Sequence, residues 1–214
     1  NFATDDWGRA ALIDVPGVLE WLGKLIGGGA CDQPKVDEHK RLAAMIAMEL
    51  SVCESRRAKL RSANLMPVLT ACAENTGQEQ AHFFSLVAIT GIYGESGEAD
   101  PVVGRFDVSR DLVEVMKACL TRKRFKGTSW LWSETWEYIK SALSCEVLRK
   151  PIAQAGAAEL LARALKAAEL DARVDPEVLE RIKLAILRAL SLLATEPTAH
   201  QGIRRDALPL VEPF

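Results

Sequence analysis

What the chain lacks narrows its options first. Across 214 residues no stretch approaches the roughly eighteen uninterrupted apolar residues of a membrane span, so no spanning helix is expected. No charge of one sign dominates: 27 basic against 29 acidic residues leave a formal charge of -2, which argues against a global nucleic-acid footprint. Five cysteines are scattered without a CxxC pair, and only three histidines occur, far apart at His39, His82 and His200. Zinc needs clustered thiolates or imidazoles, so no metal centre is expected, and no other cofactor. An odd number of thiols, four of them inside apolar helical patterns, reads as reduced cysteine in a reducing compartment, hence a cytoplasmic protein. The opening NFATDDWGRA has neither a basic n-region nor an apolar h-region, so no secretory signal is read there. It also lacks an initiator methionine, which leaves a processed chain or a fragment open.

Catalytic signatures are missing as well. There is no GxSxG elbow, P-loop, HExxH or dinucleotide glycine pattern. His82 sits in an apolar helical stretch and reads as a satisfied structural histidine, because no nucleophile or orienting partner pairs with it. The expectation is a protein that is not an enzyme.

What is present is a repeat. Five segments align without gaps around a small or polar corner residue: Gly17, Asn64, Asp111, Gly156 and Ala207, at spacings of 47, 47, 45 and 51 residues. Four residues past the corner stand Trp21, Val68, Val115, Leu160 and Val211; five past it come Leu22, Leu69, Met116 and Leu161. With the residues eight and nine past the corner they form one apolar stripe on a 3.6-residue helix. Gly, Asn and Asp suit such corners because they tolerate left-handed or capping backbone. Longer helical patterns separate these segments, over 36–53, 78–93, 130–145 and 176–194. In the first, Leu42, Met45, Ile46, Leu50 and Cys53 share a face; the second is apolar around most of its circumference. Asp175 followed by Pro176 is a strong start signal for the last. Each unit is therefore a short helix, a corner, a second helix and a longer third helix, with no hairpin dipeptide competing. The fold class is all-α.

This pattern resembles armadillo repeats. RKPIAQAG-AAELLARAL is similar to the first two helices of such a unit, and AILRALSLLATEPTAHQGIRRDA to a third helix running into the next repeat. The resemblance covers residues from about Gly8 to Phe214 and implies one domain over 1–214. That domain would be an α-solenoid, a right-handed superhelix of three-helix units with the last unit incomplete. Departures are a degenerate third copy preceded by GESGEADPVVG, long loops at GGGACDQPK and ELDARVD, and the lack of a Trp and Asn ladder on the third helices. Recognition of nuclear-import signals is therefore not implied.

A solenoid's concave wall is lined by third helices, and the same register places Met45, Glu49, Glu137, Ser141, Arg188 and Leu192 on it. That mixture of signs fits a protein or peptide partner that is not simply basic. In SWLWSETWEYIK, Trp132 and Trp136 share a face and read as core, whereas Trp130 is a candidate interface anchor. TRKRFKG reads as a solvated basic loop; contact with nucleic acid is not expected of four charges in a nearly neutral chain. The expected function is a non-catalytic interaction module or scaffold holding a peptide or helix. Alternatives are a fragment of a larger solenoid scaffold or co-chaperone, and an all-helical enzyme. Self-association through the open C-terminal end is a further expectation.

Overall fold

The computed structural model describes residues 6–28, 36–75, 77–170 and 175–208. The fold is all-α, and the chain divides into two compact units, Asn1–Val103 and Gly104–Phe214. Cys31, Val211 and most of the two long loops lie outside the described residues.

In the first unit, α1 (Asp6–Asp14) leads through Gly17 at φ 77° into α2 (Val18–Ile26), and α3 (Val36–Ser51) follows. The same order then recurs. A 3₁₀ turn at Glu54–Arg56 leads into α4 (Arg57–Ser62), Asn64 turns at φ 52°, and α5 (Met66–Asn75) and α6 (Glu79–Tyr93) follow. The short α7 (Asp100–Val103) closes the unit. The core lies where α3 packs along α6. As its sequence implies, α6 is buried on every side, from Ala81 through Phe83, Phe84, Leu86 and Ile89 to Tyr93. For α3 the expected face is wrong in detail. Ala43, Ala44, Ala47, Met48, Leu50 and Ser51 are buried, while Leu42, Met45 and Ile46 stay partly exposed. Small side chains win because α6 approaches closely: Gly91 faces Ser51, with no room between them for another methyl group. Tyr93 ties this core to the next layer by accepting the Met66 N–H at its hydroxyl, 3.1 Å away, and so satisfies a donor in the first turn of α5.

Electrostatics trims the same unit at its rim. Asp14 at the end of α1 receives Lys59 at 2.8 Å and Arg56 at 3.0 Å, and these hydrogen bonds hold its carboxyl below the usual aspartate range. The Arg57 guanidinium is buried between Glu54 and Glu95.

The second unit runs α8 (Val108–Thr121), a hairpin of β1 (Arg124–Phe125) and β2 (Thr128–Ser129), then α9 (Trp132–Ser144). It continues with α10 (Glu146–Gln154), Gly156 at φ 87°, α11 (Ala157–Leu170) and α12 (Pro176–Leu193). Beyond a 3₁₀ turn at Pro197–Ala199 come α13 (His200–Gly202) and a π-helical segment, Ile203–Ala207. Here α9 packs along α12, as α3 does along α6. Two corner assignments need correction. Asp111 lies within the first turn of α8, whose N-cap is Asp107, and Ala207 ends the π-helical segment. Neither has positive φ, because Asp111 is a helix residue whose carboxylate serves a tertiary ion pair, and Ala207 is buried with its chain still helical.

The start of α12 is as its sequence implies: Asp175 Oδ1 accepts the N–H groups of Glu177 and Val178, at 2.9 and 3.4 Å, ahead of Pro176. Asp175→Ala is expected to lower stability by about 1 kcal/mol, read as a lower urea midpoint at unchanged slope. A midpoint equal to that of the parent would mean that water replaces this cap at no loss.

Candidate functional site

The chemistry-bearing surface with the most definite geometry is the junction of α8, the hairpin and α9. Helix α8 ends in a Schellman motif: the Lys123 N–H reaches the Ala118 carbonyl at 2.9 Å and the Arg122 N–H that of Cys119 at 3.2 Å. This forces Arg122 into left-handed backbone at φ 53°, a place where glycine is the easier residue. The chain then folds back on itself with Arg124 opposite Ser129 and Phe125 opposite Thr128. Lys126 and Gly127 make the reversal at φ 47° and 73°, the two positive values of a type I′ turn, whose twist suits a two-residue hairpin.

Contacts of Lys126 and Trp130 hold this hairpin, and a tryptophan pair marks the start of α9 beside it. Lys126 Nζ lies 3.1 Å from Asp111 Oδ2 and 5.5 Å from the centre of the Phe125 ring. Trp130 Nε1 donates to the Phe125 carbonyl at 3.4 Å, and its ring stands edge-on to Tyr138 at 6.2 Å. Trp132 stands edge-on to Trp136 at 5.2 Å. The result is a cleft of about 390 Å³ whose walls include Cys119, Leu120, Arg122, Lys123, Trp130, Leu131, Trp132 and Ala167. Leu131, the N-cap residue of α9, leaves 51% of its surface in solvent. Arg122, Lys123 and Arg124 are exposed beside it, so the rim is cationic and the floor apolar.

Desolvation at the cleft floor pushes the Cys119 thiol up to about 11, against a smaller opposing effect of its hydrogen bond to Thr135. The thiol is therefore neutral near pH 7 and a poor nucleophile. The sign of the linkage is fixed by this. Below the thiol's ordinary value, near 8.5, neither state ionises; above it only the unfolded chain does, so stability falls as pH rises towards 11. A loss on the order of 1–2 kcal/mol by pH 10 is expected from this group. Denaturant midpoints of the parent and Cys119→Ala from pH 8 to 10 should converge; parallel curves would contradict the assignment.

The residues expected to line a groove fall in different surroundings. Met45 and Glu49 lie on α3 of the first unit, partly exposed, with Glu49 3.8 Å from the buried Arg9 of α1. In the second unit, Glu137 pairs with Lys140 at 2.5 Å on α9, while Arg188 is exposed and Leu192 half-exposed on α12. Ser141 is 4% exposed and offers no surface, which corrects its place in the groove. The physical reason is that α8, α10 and α12 all pack on α9, so the face assigned to solvent is covered. Trp136 is core and Trp132 sits half-exposed at the cleft, so the two tryptophans expected together in the core divide their roles.

The sequence reading missed the hairpin and the cleft. Its one local signal was Lys126-Gly127 between Phe125 and Thr128, a weaker cue than Asn-Gly. His82 Nδ1 lies 2.7 Å from the Ala73 carbonyl, a hydrogen bond in which the ring donates. Among the described residues no group of His, Cys, Asp and Glu could hold a metal ion, and no helix is long and apolar enough to cross a membrane. A second hollow of about 380 Å³ in the first unit, between α2, α3 and α5, is lined by Ile26, Lys40, Pro67, Val68, Ala71 and Cys72. No protein-family model, curated protein or solved structure matches the chain.

Proposed function

We propose that the chain is a non-catalytic interaction module whose successive three-helix groups stack as an armadillo-like solenoid and hold a peptide or helix of a partner protein. One observation carries the reading. The order short helix, left-handed corner, second helix and long third helix occurs at Gly17, Asn64 and Gly156, and the long third helices pack on one another within each unit. Layers of this kind leave side chains of the third helices for a guest, which gains affinity from many modest contacts. The proposed contacts are Glu49 on α3 in the first unit and, in the second, Glu137 on α9 with Arg188 and Leu192 on α12, residues of both signs that suit a partner bearing both charges.

The test is affinity capture from an extract of the source cells on the immobilised full chain. The parent should retain a defined set of polypeptides, and the combined Glu49→Arg, Glu137→Arg, Arg188→Glu variant should lose at least one of them. Identical sets from both proteins, or no retention by the parent, would contradict the proposal.

A further inference from the structure

We infer that the outward stripe of α2 is a self-association surface, and that its occupant is the same helix of a second copy, packed antiparallel about a two-fold axis. The inference goes beyond the third-helix contacts proposed above and uses none of their residues. It starts from a comparison of equivalent positions. Val18, Trp21 and Leu25 stand one, four and eight residues past the Gly17 corner, spacings that put them on one side of α2. The same positions past Asn64 are Leu65, Val68 and Cys72, and past Gly156 they are Ala157, Leu160 and Ala164. Leu65, Cys72, Ala157, Leu160 and Ala164 are all buried, and Val68 is half-buried. Trp21, the largest side chain of the set, is 51% exposed, and Val18 and Leu25 are partly exposed beside it.

What covers this face elsewhere is visible at Leu65. Its Cδ2 stands 3.5 Å from where a Cβ on Gly23 would lie, so α5 lays the face against α2, the second helix of the group before it. On α2 the corresponding face stays open at Trp21. Val15, just before the corner, is also exposed and extends the apolar surface. A half-exposed tryptophan among smaller apolar side chains is the kind of anchor on which protein interfaces concentrate their binding energy.

The charges beside the stripe select the occupant. Glu20 and Lys24 lie one turn apart on its flank, 71% and 64% exposed, with their charged atoms 2.7 Å apart. Acid then base along the helix becomes base then acid when the helix is turned end for end. An antiparallel second copy therefore sets each Lys24 against the other's Glu20 and beside the other's Trp21 ring, exchanging two ion pairs within helices for two across the contact. A parallel copy would bring like charges together, and a partner of one sign would meet a repelling residue in either case. Nucleic acid is a poor match, because Lys24 is the one cation of α2 and Glu20 neutralises it.

Sedimentation velocity on the full chain, at concentrations up to about 0.2 mM, is the test. The parent should pass from monomer to dimer as concentration rises. Trp21→Gln keeps a good helix former at a half-exposed site, so it should weaken the dimer at least about tenfold while leaving the melting temperature of dilute protein nearly unchanged. Glu20→Lys and Lys24→Glu, made singly, should each weaken the dimer as well, since each faces a copy of its own sign. Mixing those two variants in equal amounts should restore a dimer, now of unlike chains, and so should the double exchange within one chain.

A chain that stays monomeric throughout the range would overturn the inference. So would a dimer indifferent to Trp21→Gln, or single charge variants that associate no better mixed than apart. The outcomes separate from those of the capture experiment, because the Glu49, Glu137 and Arg188 reversals leave α2 untouched. If Trp21 governs a dimer and the parent retains nothing from extract, the partner-binding proposal is refuted and the α2 contact stands. If capture responds to the reversals and the chain is a monomer, the reverse holds.

Discussion

Trp136→Ala is expected to cost about 3–5 kcal/mol of stability, the largest effect of any substitution considered for this chain. Trp136 is 0% exposed and lies on α9, on which α8, α10 and α12 all pack. Truncation removes the edge-on contact with Trp132 at 5.2 Å and leaves a hollow in a region that three helices already hold in place. Its indole N–H adds a second expectation. Trp136 Nε1 is buried with no acceptor in reach, so the native state already bears the desolvation of that donor. Trp136→Phe sheds the unpaired N–H while keeping most of the apolar volume, and should cost less than about 1.5 kcal/mol. Urea unfolding of the two variants checks both values. Equal losses for Phe and Ala would mean that the indole edge, and not bulk, holds the site.

Gly91→Ala is expected to destabilise by about 2–3 kcal/mol, although alanine is the better helix former by roughly 1 kcal/mol. The two effects oppose each other, and geometry decides between them. A Cβ on Gly91 would collide with Ser51 Oγ and stand 2.5 Å from Ser51 Cβ and 3.4 Å from the Ser51 carbonyl carbon. Ser51 cannot swing clear cheaply: its hydroxyl donates to the Met48 carbonyl at 2.6 Å and is buried. The helices themselves must part, which disturbs the α3–α6 core along its length. Adding Ser51→Gly should recover much of the loss, a coupling that a double-mutant cycle measures. Stabilisation by Gly91→Ala alone would show that α3 and α6 sit further apart than described.

These two sites also show which features the amino-acid pattern revealed. Asp175-Pro176 and the apolar positions of α12 declare that helix outright, because cap chemistry and a regular stripe are both local. The fully apolar α6 could be read as a sandwiched helix for the same reason. The buried face of α3 could not. It is set by the closeness of Gly91, and the demand for Ala43, Ala44, Ala47 and Ser51 at that contact overrides the greater hydrophobicity of Leu42 and Ile46. At the third corner the pattern misled, since Asp111 stands at the right spacing but is used as a helix residue and as the partner of Lys126. The cleft was legible only in pieces. Its tryptophans and its basic run were both visible as candidates, but the left-handed Arg122 and the hairpin that unite them depend on backbone conformations that Arg and Lys rarely announce. Ser141 failed for a related reason: a register derived from one resembling family cannot foresee that three helices pack on α9.

Small-angle X-ray scattering of the chain in solution tests the stacked-layer proposal most directly. A closed globule of this length has a radius of gyration of about 17 Å. An open stack of three-helix layers should give a clearly larger value and a pair-distance distribution with an extended tail. A radius at about 17 Å with a symmetric distribution would contradict it.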